Sequence, residues 1–164
     1  GIIDCDLPIN SGPLHFVANA AIAALNTWIV DGRAPSKAER LEVAGEPAIF
    51  VRDDLGNVNG GVRTPYVDAP IAIVEGVGQP QPDSILDPDT SEINLGNLNV
   101  CAFTGTTKLF DAATLGSLYA DNGAYIEALD TATDDAVSKG FLLPADAALI
   151  KANAANSDIF APSP

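Results

Sequence analysis

His15 is the single histidine of the chain, and it stands where a Pro/Gly-rich loop over residues 7–14 runs into an apolar helix predicted from Phe16 to Asp31. An imidazole at a loop-to-helix junction suits a general base, because the loop can aim the ring while the helix holds it, and its charge changes near neutral pH. A base needs a nucleophile to activate, yet the chain contains no G-x-S-x-G elbow. A catalytic His15 therefore implies that the nucleophile and most of the enzyme lie elsewhere. The competing use is a histidine at a helix start, hydrogen-bonded to the loop backbone.

Other chemistry-bearing residues point to structural uses. Arg63 and Asp68 flank a Thr-Pro turn and can pair across it; a bidentate hold on a substrate carboxylate is the alternative for Arg63. Asp4 and Asp6 lie close to His15 in sequence, but a triad acid is normally delivered by a separate loop, so both are read as solvated or loop-capping groups. Asp83, Asp87 and Asp89 lack the spacing of a calcium loop. No residue set predicts a metal or a cofactor site. Cys5 and Cys101 form no C-x-x-C pair. As a disulfide they would close a long loop and imply an oxidising compartment; as two buried free thiols they would imply neither.

Composition narrows the partners. With 22 acidic residues against 8 basic ones, the net charge is −14, which argues against nucleic acid, whose phosphates need clustered Lys and Arg, and against an anionic membrane surface. A solubilising acidic coat is the plain use of such a charge. A hydrophobic fraction of 47% over 164 residues supports one sizeable core, and no apolar run is long enough to span a bilayer. The chain opens Gly1-Ile2-Ile3 and contains no Met. An apolar pair of that kind belongs inside a core strand, so a segment of a longer polypeptide is expected.

The elements that must position His15 follow from periodicity. Val17, Ala20, Ala21, Ala24, Leu25, Trp28 and Ile29 recur at helical spacing and predict one broad apolar face, with Trp28 as a core anchor and Gly32 as the stop. Residues 36–75 predict short strands, Leu41–Val43 and Ala48–Arg52, a turn at Asp53–Asn57, and a Gly/Pro-rich extended path. Residues 76–99 predict a loop. Residues 100–164 predict a helical segment: one helix capped by Asp111, a second capped by Asp121 or Asn122 and ended by Gly140, and a third from Pro144 to Ala155. In the second, Tyr125, Leu129, Ala132 and Ala136 share a face. Few strands are visible for an independent sheet.

Four strings carry a family resemblance: residues 10–21, Trp28–Pro35, residues 60–72 with Gly60-Gly-Val-Arg-Thr-Pro65, and Gly140–Asp146. Together they resemble the C-terminal portion of a large, mostly uncharacterised α/β-hydrolase-domain family, over nearly the whole chain. His15 to Pro35 is also similar to the end pattern of tannases and feruloyl esterases, although Phe16 stands where that pattern has Cys. The resemblance implies an α/β fold, the C-terminal part of an α/β-hydrolase-like domain, in which His15 is the general base for a Ser that, like the acid, lies N-terminal to Gly1. The partner it implies is the N-terminal part of the same protein or a companion chain, with a small-molecule ester as substrate. The alternative is a secreted structural or interaction protein on a hydrolase-like scaffold. A disulfide would place either outside the cytoplasm.

Overall fold

The chain orders as α1 (Leu14–Asp31), β1 (Val43–Ala44), β2 (Ile49–Phe50), α2 (Pro65–Asp68), β3 (Ala72–Glu75), a 3₁₀ turn (Val100–Phe103), β4 (Thr106–Leu109), α3 (Ala112–Leu118), α4 (Asn122–Ser138) and α5 (Pro144–Ala155). The structure is a computed structural model, and it describes Cys5, residues 7–78 and residues 100–161. The Ile2-Ile3 pair, Asp4, Asp6, the acidic positions 83–89 and the predicted loop beyond residue 78 lie outside the described residues. Two compact units are present: Gly1–Gly12 with Ala72–Leu109, and Pro13–Ile71 with Phe110–Pro164.

The first unit is built on a pairing that the sequence does not announce. β3 and β4 run antiparallel, from Ala72 opposite Leu109 to Glu75 opposite Thr106. Residues 106–109 were expected to belong to a helical segment; they form a strand. Four residues are too few to show a period, and the β-branched Thr106 and Thr107 take extended backbone once a partner some thirty positions away offers hydrogen bonds. The stretch before α1 lies along β4. Ile9 bridges Thr106, Thr107 N–H donates to the Pro8 carbonyl at 2.9 Å, and Thr107 Oγ1 donates to the Ile9 carbonyl at 3.0 Å. Asn10 Nδ2 donates to the Glu75 carbonyl at 2.7 Å. Gly105 must be glycine: its φ is +62°, and a Cβ there would strike the Glu75 carbonyl. Cys5 and Cys101 are bonded, with Cα atoms 5.7 Å apart, inside the range that a disulfide spans. A bridge of sequence separation 96 stabilises by about 4–5 kcal/mol in the chain-entropy account.

The second unit has its core on α4. Tyr125, Leu129, Ala132 and Ala136 are all buried, as the helical spacing predicts, and Thr133 beside them returns its hydroxyl to the Leu129 carbonyl at 2.6 Å. Both predicted caps are made: Asp121 accepts from Ala124 N–H and Asp111 from Thr114 N–H, each at 2.8 Å. Gly140, with φ +77°, donates its N–H to Val137 just past the end of α4. α5 begins at Pro144 and buries Ala147, Ile150 and Ala154, while α2, hidden in the Gly/Pro-rich path, sets the buried Ala69 in the same core cluster. Tyr119 donates its hydroxyl to the Pro70 carbonyl at 3.1 Å and stacks edge-on to Tyr125. Burial first, then the neighbouring Tyr125, pushes the Tyr119 hydroxyl up to about 12.

α1 departs from the predicted face. It starts two residues early, at Leu14, and stops as expected at Gly32, whose φ is +69°. Its buried residues are Phe16 and Ala20, with Val17, Ala23, Ala24 and Thr27 half-buried. Trp28, expected as a core anchor, is 51% exposed, and Leu25 and Ile29 are exposed too. The reason is that α1 is apolar around most of its circumference, so periodicity cannot select a side. At roughly 100° per residue, Ala18, Ile22, Leu25 and Ile29 form a second stripe opposite Phe16 and Ala20. β1 and β2 pair as a hairpin, Val43 with Phe50 and Ala44 with Ile49, and both strands are exposed.

Leu129→Ala is expected to cost about 2–5 kcal/mol, the penalty for a cavity in a packed core, while Trp28→Ala in the same 164-residue chain shifts stability by no more than about 0.5 kcal/mol; chemical denaturation of both checks the contrast. The raised Tyr119 pKa carries its own expectation. Its neutral hydroxyl stabilises fully below the ordinary tyrosine value of 10.0, and the contribution is lost as pH rises through about 12. Tyrosinate absorbance followed against pH tests this.

Candidate active site

His15 sits in the first turn of α1, because the helix begins at Leu14 and not after the histidine. Pro13 ends the loop, and its carbonyl accepts from Phe16 N–H at 3.0 Å and Val17 N–H at 3.1 Å, so the first helical turn is closed without a side-chain cap. The imidazole is exposed. It rests against the Phe16 ring with centroids 3.8 Å apart and planes inclined at 47°, and Phe16 belongs to the core cluster of its unit. The ring is thus braced from behind by a buried neighbour. Among the described residues no group hydrogen-bonds to it, so the loop-backbone bond expected of a purely structural helix-start histidine is not made.

One turn on, Asn19 shares a side of α1 with His15. Its Nδ2 donates to Asp146 Oδ2 at 3.2 Å. Asp146 is buried, 9% exposed, in the first turn of α5, where the helix N-terminus favours its negative charge. Among the described residues this is the one side-chain hydrogen bond from α1 to another element, so it fixes the turn that carries the imidazole. Neither residue was singled out from the sequence. An amide within an Ala-rich helix, one turn after the lone histidine, was the available signal; Asp146 lay in plain view at the end of the Gly140–Asp146 string.

Arg63 and Asp68 pair as expected: Arg63 Nε donates to Asp68 Oδ1 at 2.7 Å and Nη2 stands 2.5 Å from the same oxygen. The pair closes over Thr64 and α2 and pins that turn. It makes no contact with His15. Asp4 and Asp6 lie outside the described residues, and among the described residues no group of three His, Cys, Asp or Glu could hold a metal ion. The arrangement thus presents an exposed imidazole resting on Phe16, with no hydrogen-bond partner among the described residues. A lone pair on that ring can take a proton from a hydroxyl set before it, and turnover also requires a nucleophile and an orienting acid.

A family model described as an alpha/beta hydrolase domain matches residues 2–152. No curated protein and no solved structure matches the chain.

Asn19→Ala removes the partner of a buried carboxylate. A loss of about 1–3 kcal/mol is expected, read as a lower melting temperature, with Asn19→Asp worse still because it sets two carboxylates together.

Proposed function

This chain belongs to the alpha/beta hydrolase domain family, and we propose that it carries the general base, His15, of a serine hydrolase acting on an ester. The observation that carries the reading is the imidazole of His15: exposed, braced on Phe16 and bonded to nothing among the described residues. In this reading His15 takes the proton of a Ser hydroxyl as that oxygen attacks the ester carbonyl, then returns it to the leaving alcohol. The chain has no G-x-S-x-G string, so the Ser comes from polypeptide N-terminal to it or from a companion chain. The orienting acid comes from the same source.

The outer stripe of α1 supports that partner. Ile22, Leu25, Trp28 and Ile29 are half or more exposed along one helix, and contiguous apolar surface of this kind is normally covered. The described strands are two short antiparallel pairs, and the sheet of an α/β fold needs several strands between layers of helices. α1 then packs Phe16 and Ala20 on its own unit and its outer stripe on the sheet of the N-terminal part. The Cys5–Cys101 bridge suits an oxidising compartment, and no helix among the described residues is long and apolar enough to cross a membrane. The reading is therefore of an extracytoplasmic enzyme.

A second reading, a non-catalytic interaction protein on a hydrolase-like scaffold, draws on a different observation: no carboxylate orients His15 among the described residues. The test separates the two. In the protein that includes the N-terminal part, His15→Gln is expected to lower kcat for a p-nitrophenyl ester by a factor of about 10²–10⁴, with stability lowered by no more than about 1 kcal/mol, the scale of one hydrogen bond. A variant that keeps wild-type kcat overturns the catalytic assignment.

A further inference from the structure

The Gly60-Gly-Val-Arg-Thr-Pro65 string takes no part in the chemistry of His15, yet it helps to build a cleft within its own unit. Gly60 and Gly61 have φ of +79° and +74°, and a Cβ on Gly60 would strike the Arg40 carbonyl. Glycine at both positions lets residues 59–61 lie flat on residues 39–42, where Glu42 N–H donates to the Asn59 carbonyl at 3.1 Å and Gly61 N–H to the Glu39 carbonyl at 3.0 Å. That double strand forms one wall of a cleft of about 730 Å³, to which Lys139 and Phe141, just beyond α4, also contribute.

The charges of this cleft are sorted. Lys37, Arg63 and Lys139 line it, three of the eight basic residues in a chain of net charge −14. The carboxylates that pair with two of them, Asp68 and Asp135, line a neighbouring cleft together with Glu127. Both ion pairs therefore present their cationic ends to one cleft and their anionic ends to the next. Arg63 spends Nε and Nη2 on Asp68, which leaves Nη1 for a ligand. Lys37 is exposed and has no carboxylate partner among the described residues. Glu39 and Glu42 stand in the same lining, with Glu42 Oε2 accepting from Asn59 Nδ2 at 3.2 Å. Two carboxylates repel a multiply charged anion and offer acceptors to a donor on the ligand. Phe141 supplies an apolar surface.

We infer that this cleft binds a small monocarboxylate that carries a hydroxyl or ammonium donor beside the carboxylate and an apolar body, the chemistry of a hydroxy acid or an amino acid. The carboxylate meets Lys37 and Arg63, the donor meets Glu39 or Glu42, and the body lies on Phe141. The inference does not depend on the role of His15, because none of these residues touches it.

Phenyllactate titrated into the chain and followed by backbone amide shifts tests the site. Saturable binding is expected, with the shifts confined to residues 36–42, 59–63 and 139–141. Lys37→Glu, an exposed change that leaves the core intact, weakens it by about tenfold or more, the scale of a charge-assisted hydrogen bond, while Lys108→Glu, outside the cleft, leaves it unchanged. Phenylethanol, with the same ring and no carboxylate, does not bind there, and citrate binds more weakly than phenyllactate. Absence of saturable binding, equal binding of phenylethanol, tighter binding of citrate, or indifference to Lys37→Glu each overturns the inference.

Discussion

Everything in the larger unit hangs on one buried stripe. Tyr125, Leu129, Ala132 and Ala136 run along α4, and the core that gathers on them includes Phe16 of α1, Ala69 after α2, Leu142, and Ile150 and Ala154 of α5. The two small residues in that stripe let neighbouring backbones approach, and its two large ones fill the space between them. Because Phe16 belongs to this core, the ring of His15 that rests on Phe16 has a fixed floor. A surface imidazole gains its direction from a hydrophobic contact one residue away.

Polar interactions then set what packing leaves free. Asn19 to Asp146 fixes the first turns of α1 against rotation, and the Arg63–Asp68 and Asp135–Lys139 pairs sort charge between two clefts. Exposed ion pairs contribute little to stability. Their larger effect here is spatial, since each holds a cation on one side and its counter-charge on the other. The same economy holds in the smaller unit, where Thr107 hydrogen-bonds residues 8, 9 and 11 and so registers the segment before α1 along β4.

α1 carries both a contact to the core and the imidazole. Its inner side is made of alanines around Phe16, and its outer side carries Ile22, Leu25, Trp28 and Ile29. A helix apolar on both sides is suited to lie between two layers. The bulkier of its apolar side chains lie on the outer side.

Local chemistry made much of this legible in the residues themselves. Asp111 and Asp121 cap helices because a side-chain carboxylate reaches the open N–H groups of a first turn wherever it stands there. Gly32 and Gly140 end helices because glycine enters the left-handed region without penalty, and α4 shows its buried stripe because one of its faces is polar. Family membership and the interest of His15 were readable for the same reason: they lie in short contiguous strings. What only the tertiary structure decided involves partners distant in sequence. The β3–β4 pairing, the Asn19–Asp146 bond and the meeting of Lys37, Arg63 and Lys139 at one cleft each join residues whose separation no local period encodes. The side of α1 that faces the core was decided there too, since a helix apolar nearly all round carries no preference of its own until the shape of its neighbours supplies one.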